Sequence, residues 1–396
     1  MCPGHKGVWS LEWRVIYDWV GLIICLVGGF CQVALARRFR WNLPLNWAAA
    51  AIVFSVQYII HETPLPALMS GVSSFWFYWV PAVIQCWFLS LTFAFLVLLV
   101  GDRIRSFRGS RGFAGSRGFA GSRRGFLRTL GTAACAAPPA VLLFGIVTRN
   151  EFEVKEQALA VPHLPDDLKG LRIVHLSDPH VGAFFSLRQW ERALAAANEL
   201  RPDLAVVTGD LITTERDPLD ESIRSLSKLK TTAGIFGCHG NHEHFSRVED
   251  HVTRLGAELG IRFLRGQAAE LRIGKHSLNL VGVDYQQFRK PYLVGVEELV
   301  SAGDLNILLS HNPDVFPVAA GQGFDLVFSG HTHGGQVNVE ILDRQLDIAR
   351  FFTPYVKGLY REAASSVYVS AGLGTIGIPV RLGAKPEVTL HTLCAS

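Results

Sequence analysis

The hydrophobic positions of this 396-residue chain fall into two textures. Up to about residue 149 they form long runs unbroken by charge. Residues 19–36 and 43–60 are each 18 uncharged residues, 63–101 carries no charge, and 129–148 is uncharged over 20. About 20 apolar residues cross the hydrocarbon core as a helix. The pattern therefore predicts an all-α membrane region of about four transmembrane helices. Three lie within 1–101, with the best span of the third near 75–100. A loop follows over 102–128, then a fourth transmembrane or signal-anchor helix over 129–149. Trp9, Trp13, Trp19, Trp41, Trp47, Trp76, Trp79 and Trp87 mostly fit interface anchors.

From about residue 150 the texture changes. Short β-rich apolar runs cover 171–176, 203–207, 234–236, 277–283, 305–309, 325–328 and 366–369. Helical periodicity covers 186–200, 219–229 and 248–259. Alternation of this kind predicts an α/β domain over 150–396, with sheet and helix layers and a reactive edge where strands end.

Composition sharpens the division. Charged residues make up 18% of the chain, below the ~25% usual for soluble domains. The formal net charge of +4 hides two unlike halves. Residues 1–149 carry 14 Lys+Arg against 4 Asp+Glu, a net +10, and residues 150–396 carry a net −6. An acidic domain is poorly suited to a nucleic-acid backbone, which needs cationic neutralisation, so no nucleic-acid partner is expected. The seven cysteines include no CxxC pair and read as free thiols.

The arginines set the orientation. Arg37, Arg38 and Arg40 follow the first run, and eight Arg lie between Arg103 and Arg128. Arginine-rich loops stay in the cytoplasm. That places the N-terminus outside and delivers residues 150–396 to the extracytoplasmic (periplasmic) face. The basic loop also holds the hexapeptide RGFAGS twice, at 111–116 and 117–122, a flexible linker by composition. Behind it, Ser122-Arg123-Arg124-Gly125-Phe126-Leu127-Arg128 resembles a twin-arginine export signal, with the export machinery as the implied partner.

Candidate chemistry sits at the ends of five apolar runs. RIVHL leads into Asp178 and His180, LAVV into Gly209-Asp210, and GIFGCH into Gly240-Asn241-His242-Glu243. NILL leads into His311, and DLVF into Gly330-His331-Thr332-His333. A mixed Asp, His and Asn set suits Mn, Fe or Zn rather than all-oxygen cations. So many ligands exceed the needs of one tetrahedral ion. Two divalent ions sharing one carboxylate satisfy them, an arrangement suited to displacement at phosphorus.

This ordered set (DxH, GD, GNHE, H, GHTH) resembles the calcineurin-like metallophosphoesterase family over about residues 165–393, and its membrane-associated YkuE-like branch in particular. The resemblance implies a four-layer αββα sandwich. It implies Asp178, His180, Asp210 and His333 around one metal and Asp210, Asn241, His311 and His331 around the other, with Asp210 as the bridge. His242 becomes the catalytic histidine facing the substrate phosphate. Pro179 departs from the branch, which usually has Leu there. Other residues read more plainly. His175 is expected to be a satisfied core histidine. His239 and His244 are expected at the surface or behind the ligands. Glu243 holds its loop or orients His242. Asp284 is a supporting group or a turn residue. Gly334 and Gly335 permit close backbone packing.

The expected function is a membrane-anchored phosphohydrolase using a metal-bound hydroxide on a phosphorylated small molecule or lipid. The rivals are a UDP-2,3-diacylglucosamine-type pyrophosphohydrolase, a nuclease, and a non-catalytic metal-binding membrane module. Orientation separates the first rival, which needs a cytoplasmic site. Alkaline phosphatase fused after Ser396 is expected to be active in intact cells, and low activity there overturns the outward placement.

Overall fold

In the computed structural model, residues 23–38 (except 25 and 36), 74–109, 137 and 139–396 (except 288–290 and 342–343) are described. The apolar run 43–60, the RGFAGS repeats and the twin-arginine-like string lie outside the described residues. The chain divides into two compact units, Met1–Ile146 and Val147–Ser396.

In the first unit, helices α1 (Leu26–Leu35) and α2 (Ser74–Gly109) are described, with α3 (Pro139–Thr148) straddling the division. Among the described residues, α2 alone is long and apolar enough to cross a membrane, through Ala82–Leu99 with a mean hydropathy of 2.2. A loop was expected from residue 102, but α2 continues to Gly109. Arginine is a good helix former, so Arg103, Arg105 and Arg108 do not end a helix that the apolar run has begun. The Gly/Ser-rich chain beyond them is far less suited to helix.

The second unit is built on two six-stranded mixed sheets. The first has the order β1 (Glu153–Val161), β14 (Glu387–Ala395), β2 (Arg172–Leu176), β3 (Leu204–Val207), β4 (Gly234–Gly237) and β5 (Ile261–Phe263). Strands β2 to β5 run parallel, and β14 enters antiparallel to β2. The second sheet has the order β12 (Gly358–Glu362), β13 (Ser365–Val369), β9 (Leu326–Ser329), β8 (Leu305–Leu309), β7 (His276–Gly282) and β6 (Gln267–Ile273). Its four central strands are parallel and both edges antiparallel. A small ribbon, β10 (Asn338–Ile341) with β11 (Arg344–Asp347), follows the GHTH segment.

Strand side chains alternate between faces, and the cores record it. Ile173, Leu204 and Val206 meet Leu278, Ile307 and Phe328 between the sheets. Their neighbours Val174, Ala205 and Val207 face outward onto α4 (Leu187–Glu199), α5 (Leu219–Leu226) and α7 (Glu249–Glu258), the last preceded in the chain by the short α6 (Asn241–Ser246). Val281, Leu308 and Val327 face outward onto α8 (Phe316–Gln322). The layers run helix, sheet, sheet, helix. Helix α4 starts in a capping box, with Ser186 and Gln189 each satisfying the other's backbone N–H. It buries Trp190 completely, and the indole N–H donates to Ser222 O at 3.0 Å.

Most strands not expected from pattern are edge or short strands, but β14 is a nine-residue, mostly buried interior strand whose apolar positions are interrupted by Thr389, His391 and Thr392. In β1, EVKEQALAV keeps a mostly exposed first half, and in β6 polar residues alternate with Ala269 and Leu271. Half-solvated strands lack an apolar run.

Trp190→Ala is expected to lower unfolding free energy by about 3–5 kcal/mol, because removing a fully buried indole leaves a cavity and takes away its hydrogen bond to the Ser222 carbonyl. Chemical denaturation of the full-length chain checks this.

Candidate metal centre

The parallel strands β2, β3, β4, β8 and β9 all release their chains at one edge, the usual place for ligands in open α/β sheets. Asp178, Asp210, Asn241, His311 and His331 lie two to four residues beyond those ends. The loops interlock by backbone hydrogen bonds. Asp178 N–H donates to Gly209 O at 3.1 Å, and His180 N–H to Asp210 O at 3.0 Å. Gly374 N–H donates to Asp178 O at 2.8 Å.

This convergence demands unusual backbone. Asp178, His180, Asp210, His331 and His333 all have φ between 45° and 74°. The left-handed region costs a non-glycine residue about 1–3 kcal/mol, although Asp and His tolerate it better than most. The loops approach so closely that Gly330 has no room for a side chain. A Cβ there would sit 2.0 Å from Ser177 Oγ and 2.2 Å from Asp178 Oδ2.

Three overlapping groups of potential ligands result. They are Asp178, His180 and His333; His180, Asp210 and His242; and Asp210, His311 and His331. Asp210 Oδ2 lies 3.4 Å from His180 Nε2 and 3.2 Å from His311 Nε2. Asn241 Oδ1 joins the last group, 3.0 Å from His311 Nε2. All seven residues expected as ligands are thus brought to one site, with His242 beside them, its ring 4.8 Å from that of His180.

The orientation of the rings tests whether a cation fits. His311 Nδ1–H donates to Thr208 O at 2.6 Å, and His333 Nδ1–H donates to Gly374 O at 3.3 Å. Their Nε2 lone pairs therefore point into the cluster. His333 Nε2 meets His180 Nε2 at 3.2 Å and Asp178 Oδ1 at 3.5 Å, and His311 Nε2 meets His331 Nδ1 at 3.1 Å. Acceptors face acceptors. Neighbouring donor atoms about 3 Å apart match ligands about 2.1 Å from a shared ion, so the residues fit divalent cations.

Electrostatics follow from burial and crowding. Burial opposes charge on Asp210, yet His311, His242 and His180 outweigh it and hold the carboxyl well below its usual range. Burial likewise opposes protonation of His311, but Asp210 and Asp178 raise it to about 10, so a proton and a metal ion would compete for the same Nε2 lone pair. Burial brings His331 down to about 3 and His242 to about 4.

Several supporting residues fall where expected. Glu243 is fully buried and accepts N–H bonds from Gly240 (2.8 Å), Asp210 (2.8 Å) and Leu211 (2.7 Å), clamping the β3 and β4 ends together. Asp284 pairs with Arg265 at 2.9 Å. His244 is exposed and paired with Glu249. His239 is buried behind the site, stacked on Phe263 and bonded to Thr253 Oγ1 at 2.9 Å.

Pattern alone did not single out Tyr285, whose ring lies 6.1 Å from His311 and 6.0 Å from His331. Nor did it assign a role to Arg381. That side chain is buried and donates to the carbonyls of Gly374, His333, Ala371 and Ala384, tying the C-terminal segment to the GHTH loop. An arginine amid the apolar run IGIPV was the available signal.

Residues 171–335 match the family model described as calcineurin-like phosphoesterase. A metallophosphoesterase of Aquifex aeolicus (strain VF5) is 30% identical over 249 residues, covering 61% of this chain and 91% of that protein. The chain belongs to the calcineurin-like metallophosphoesterases. YkuE of Bacillus subtilis (strain 168) is 29% identical over 278 residues, covering 68% of this chain and 97% of YkuE. A Danio rerio transmembrane protein with a metallophosphoesterase domain is 31% identical over 60% of this chain, which spans 56% of that protein's length. As a calcineurin-like metallophosphoesterase, the chain is a metal-dependent phosphoesterase hydrolase.

Glu243→Gln is expected to destabilise the fold by about 1–3 kcal/mol, because an amide NH2 would replace one acceptor of three buried N–H groups. A lower melting temperature together with reduced metal loading checks the clamp.

Proposed function

We propose that the protein is a membrane-anchored phosphohydrolase with two divalent ions of the Mn, Fe or Zn type. Asp178, His180, Asp210 and His333 would hold one ion, and Asp210, Asn241, His311 and His331 the other. The observation that carries this reading is the position of Asp210 Oδ2 between His180 Nε2 and His311 Nε2, at 3.4 and 3.2 Å. When bound, two such ions polarise phosphoryl oxygens and make water a nucleophile near neutral pH.

The chain's own groups do the rest. Thr213 O accepts from His242 Nδ1–H at 2.7 Å and aims Nε2 of that ring at the cluster. Burial favours the neutral ring, while Asp210, which accepts the His242 backbone N–H at 2.9 Å, favours the protonated one. A phosphate entering the site adds negative charge and favours the protonated ring further. Its Nε2–H then stabilises the phosphoryl group or gives a proton to the leaving oxygen.

Helix α2 and the transmembrane relative support membrane anchoring. A lipid-borne phosphate is favoured among substrates by apolar side chains near the site. Phe351 and Phe352 are 87% and 75% exposed. Their turn is tied to the ligand loops, through Thr353 Oγ1–H donating to Asp314 Oδ1 at 2.5 Å and Thr332 donating to Val356 O. Val294, 76% exposed, lies on a loop bonded to Asn312 through Gln286.

In the full-length chain, Asp210→Ala is expected to lose both ions together with activity. His242→Ala is expected to keep both ions and lose about 10²–10⁴-fold in rate. Metal analysis beside a panel of monoesters, diesters, nucleotide-sugars and lipid phosphates decides it. Full metal occupancy in Asp210→Ala overturns the shared bridge.

A further inference from the structure

His175 is wholly buried in β2, and its ring packs near Phe328, Tyr368 and His391 at centroid distances of 5.2, 6.1 and 5.8 Å. One side of the ring is not silent. His175 Nε2 lies 2.9 Å from Thr208 Oγ1, which lies 2.6 Å from Ser177 Oγ, which lies 2.5 Å from Asp178 Oδ2. All four groups are buried.

We propose that His175, Thr208 and Ser177 form a one-way hydrogen-bond line that holds Asp178 in the orientation needed by a metal ion, making all three positioning residues. This rests on the reading of Asp178 as a metal ligand.

Counting protons fixes the direction. A metal-binding carboxylate is ionised and can only accept. Ser177 has one hydroxyl proton and gives it to Asp178 Oδ2. Thr208 therefore gives its single proton to Ser177 Oγ. His175 must then donate from Nε2, which leaves its Nδ1 as a bare lone pair. Among the described residues, Nδ1 of His175 has no hydrogen-bond partner, as that tautomer allows in an apolar pocket. Burial also lowers the pKa of His175 to about 3, so the ring is neutral and has one N–H to give.

The line divides the labour of the carboxylate. Asp178 Oδ2 receives the Ser177 hydroxyl, while the His331 N–H is shared between Oδ2 and Oδ1 at 3.1 Å from each. Oδ1 is the oxygen nearer the histidine lone pairs, 3.5 Å from His333 Nε2 and 4.0 Å from His311 Nε2. Thr208 serves both halves of the centre by separate atoms. Its hydroxyl acts through Ser177 on Asp178, and its carbonyl accepts from His311 Nδ1–H. Removing the hydroxyl alone should disturb one half and leave the other.

The test uses the full-length chain in detergent, stripped with a chelator and titrated calorimetrically with Mn2+. Wild type is expected to bind two ions. Thr208→Val is expected to weaken one of them by about 10–100-fold, the usual effect of losing a group that orients a ligand, and to leave the second unchanged. Thr208→Ser is expected to bind as wild type does. Nitrogen-15 NMR of histidine-labelled wild type, with the His175 signals identified from His175→Gln, is expected to show the proton on Nε2. A Thr208→Val protein that binds both ions as wild type does, or loses both, overturns the line, as does a proton on Nδ1. Wild type that binds no Mn2+ defeats the dinuclear reading and the line with it. If Thr208→Val does not fold, the NMR result and Mn2+ binding by Ser177→Ala decide.

Discussion

The Nε2 lone pair of His311 faces an Asp210 oxygen 3.2 Å away, an Asn241 oxygen at 3.0 Å and a His331 nitrogen at 3.1 Å. These atoms repel one another unless a proton on Nε2 or a cation lies among them. The architecture of the second unit is organised around holding such groups together. Five of the seven expected ligands accept left-handed backbone to reach the site. The Gly330 backbone presses against Ser177 and Asp178. Packing elsewhere must outweigh that strain, and the three apolar cores supply it.

The two parallel strand sets make the convergence possible. Face-to-face sheets bring the end of β3 close to the ends of β8 and β9. Asp210 and His311, 101 residues apart in sequence, thereby share one site. Two buried charges fasten the loops. Glu243 gathers three N–H groups and Arg381 gathers four carbonyls. Both are satisfied by backbone rather than by an opposite charge, so each fixes chain path without neutralising a ligand. A glutamate directly beside His242 thus holds the loop.

The two halves of the chain differ in texture, and membrane anchoring of the first is the proposed reading. In the basic half, runs without charge and clustered arginines are what a bilayer and its cytoplasmic face select. In the acidic half, Asp178 and Asp210 contribute negative charge at a place where cations fit. The formal +4 of the whole chain averages these and describes neither.

Much of this was legible from residue order. The runs at 171–176, 203–207 and 305–309 became β2, β3 and β8 with ends shifted by a residue at most, and 186–200, 219–229 and 248–259 became α4, α5 and α7. Period and apolar content are local properties, so a single segment carries them. The placement of Asp, Asn and His after apolar runs was equally local. The edge strands β1 and β6 were not legible, because solvent on one face removes the apolar run. Helix α2 outlasted its apolar run because helix propensity, not hydropathy, decides where a started helix ends. Tertiary structure alone decided that Tyr285 would flank His311 and His331, that Arg381 would bind four carbonyls, and that His175 would point at Thr208. Those contacts join segments far apart or on neighbouring strands. Their partners are chosen by sheet order and loop packing, which no local pattern of residues encodes.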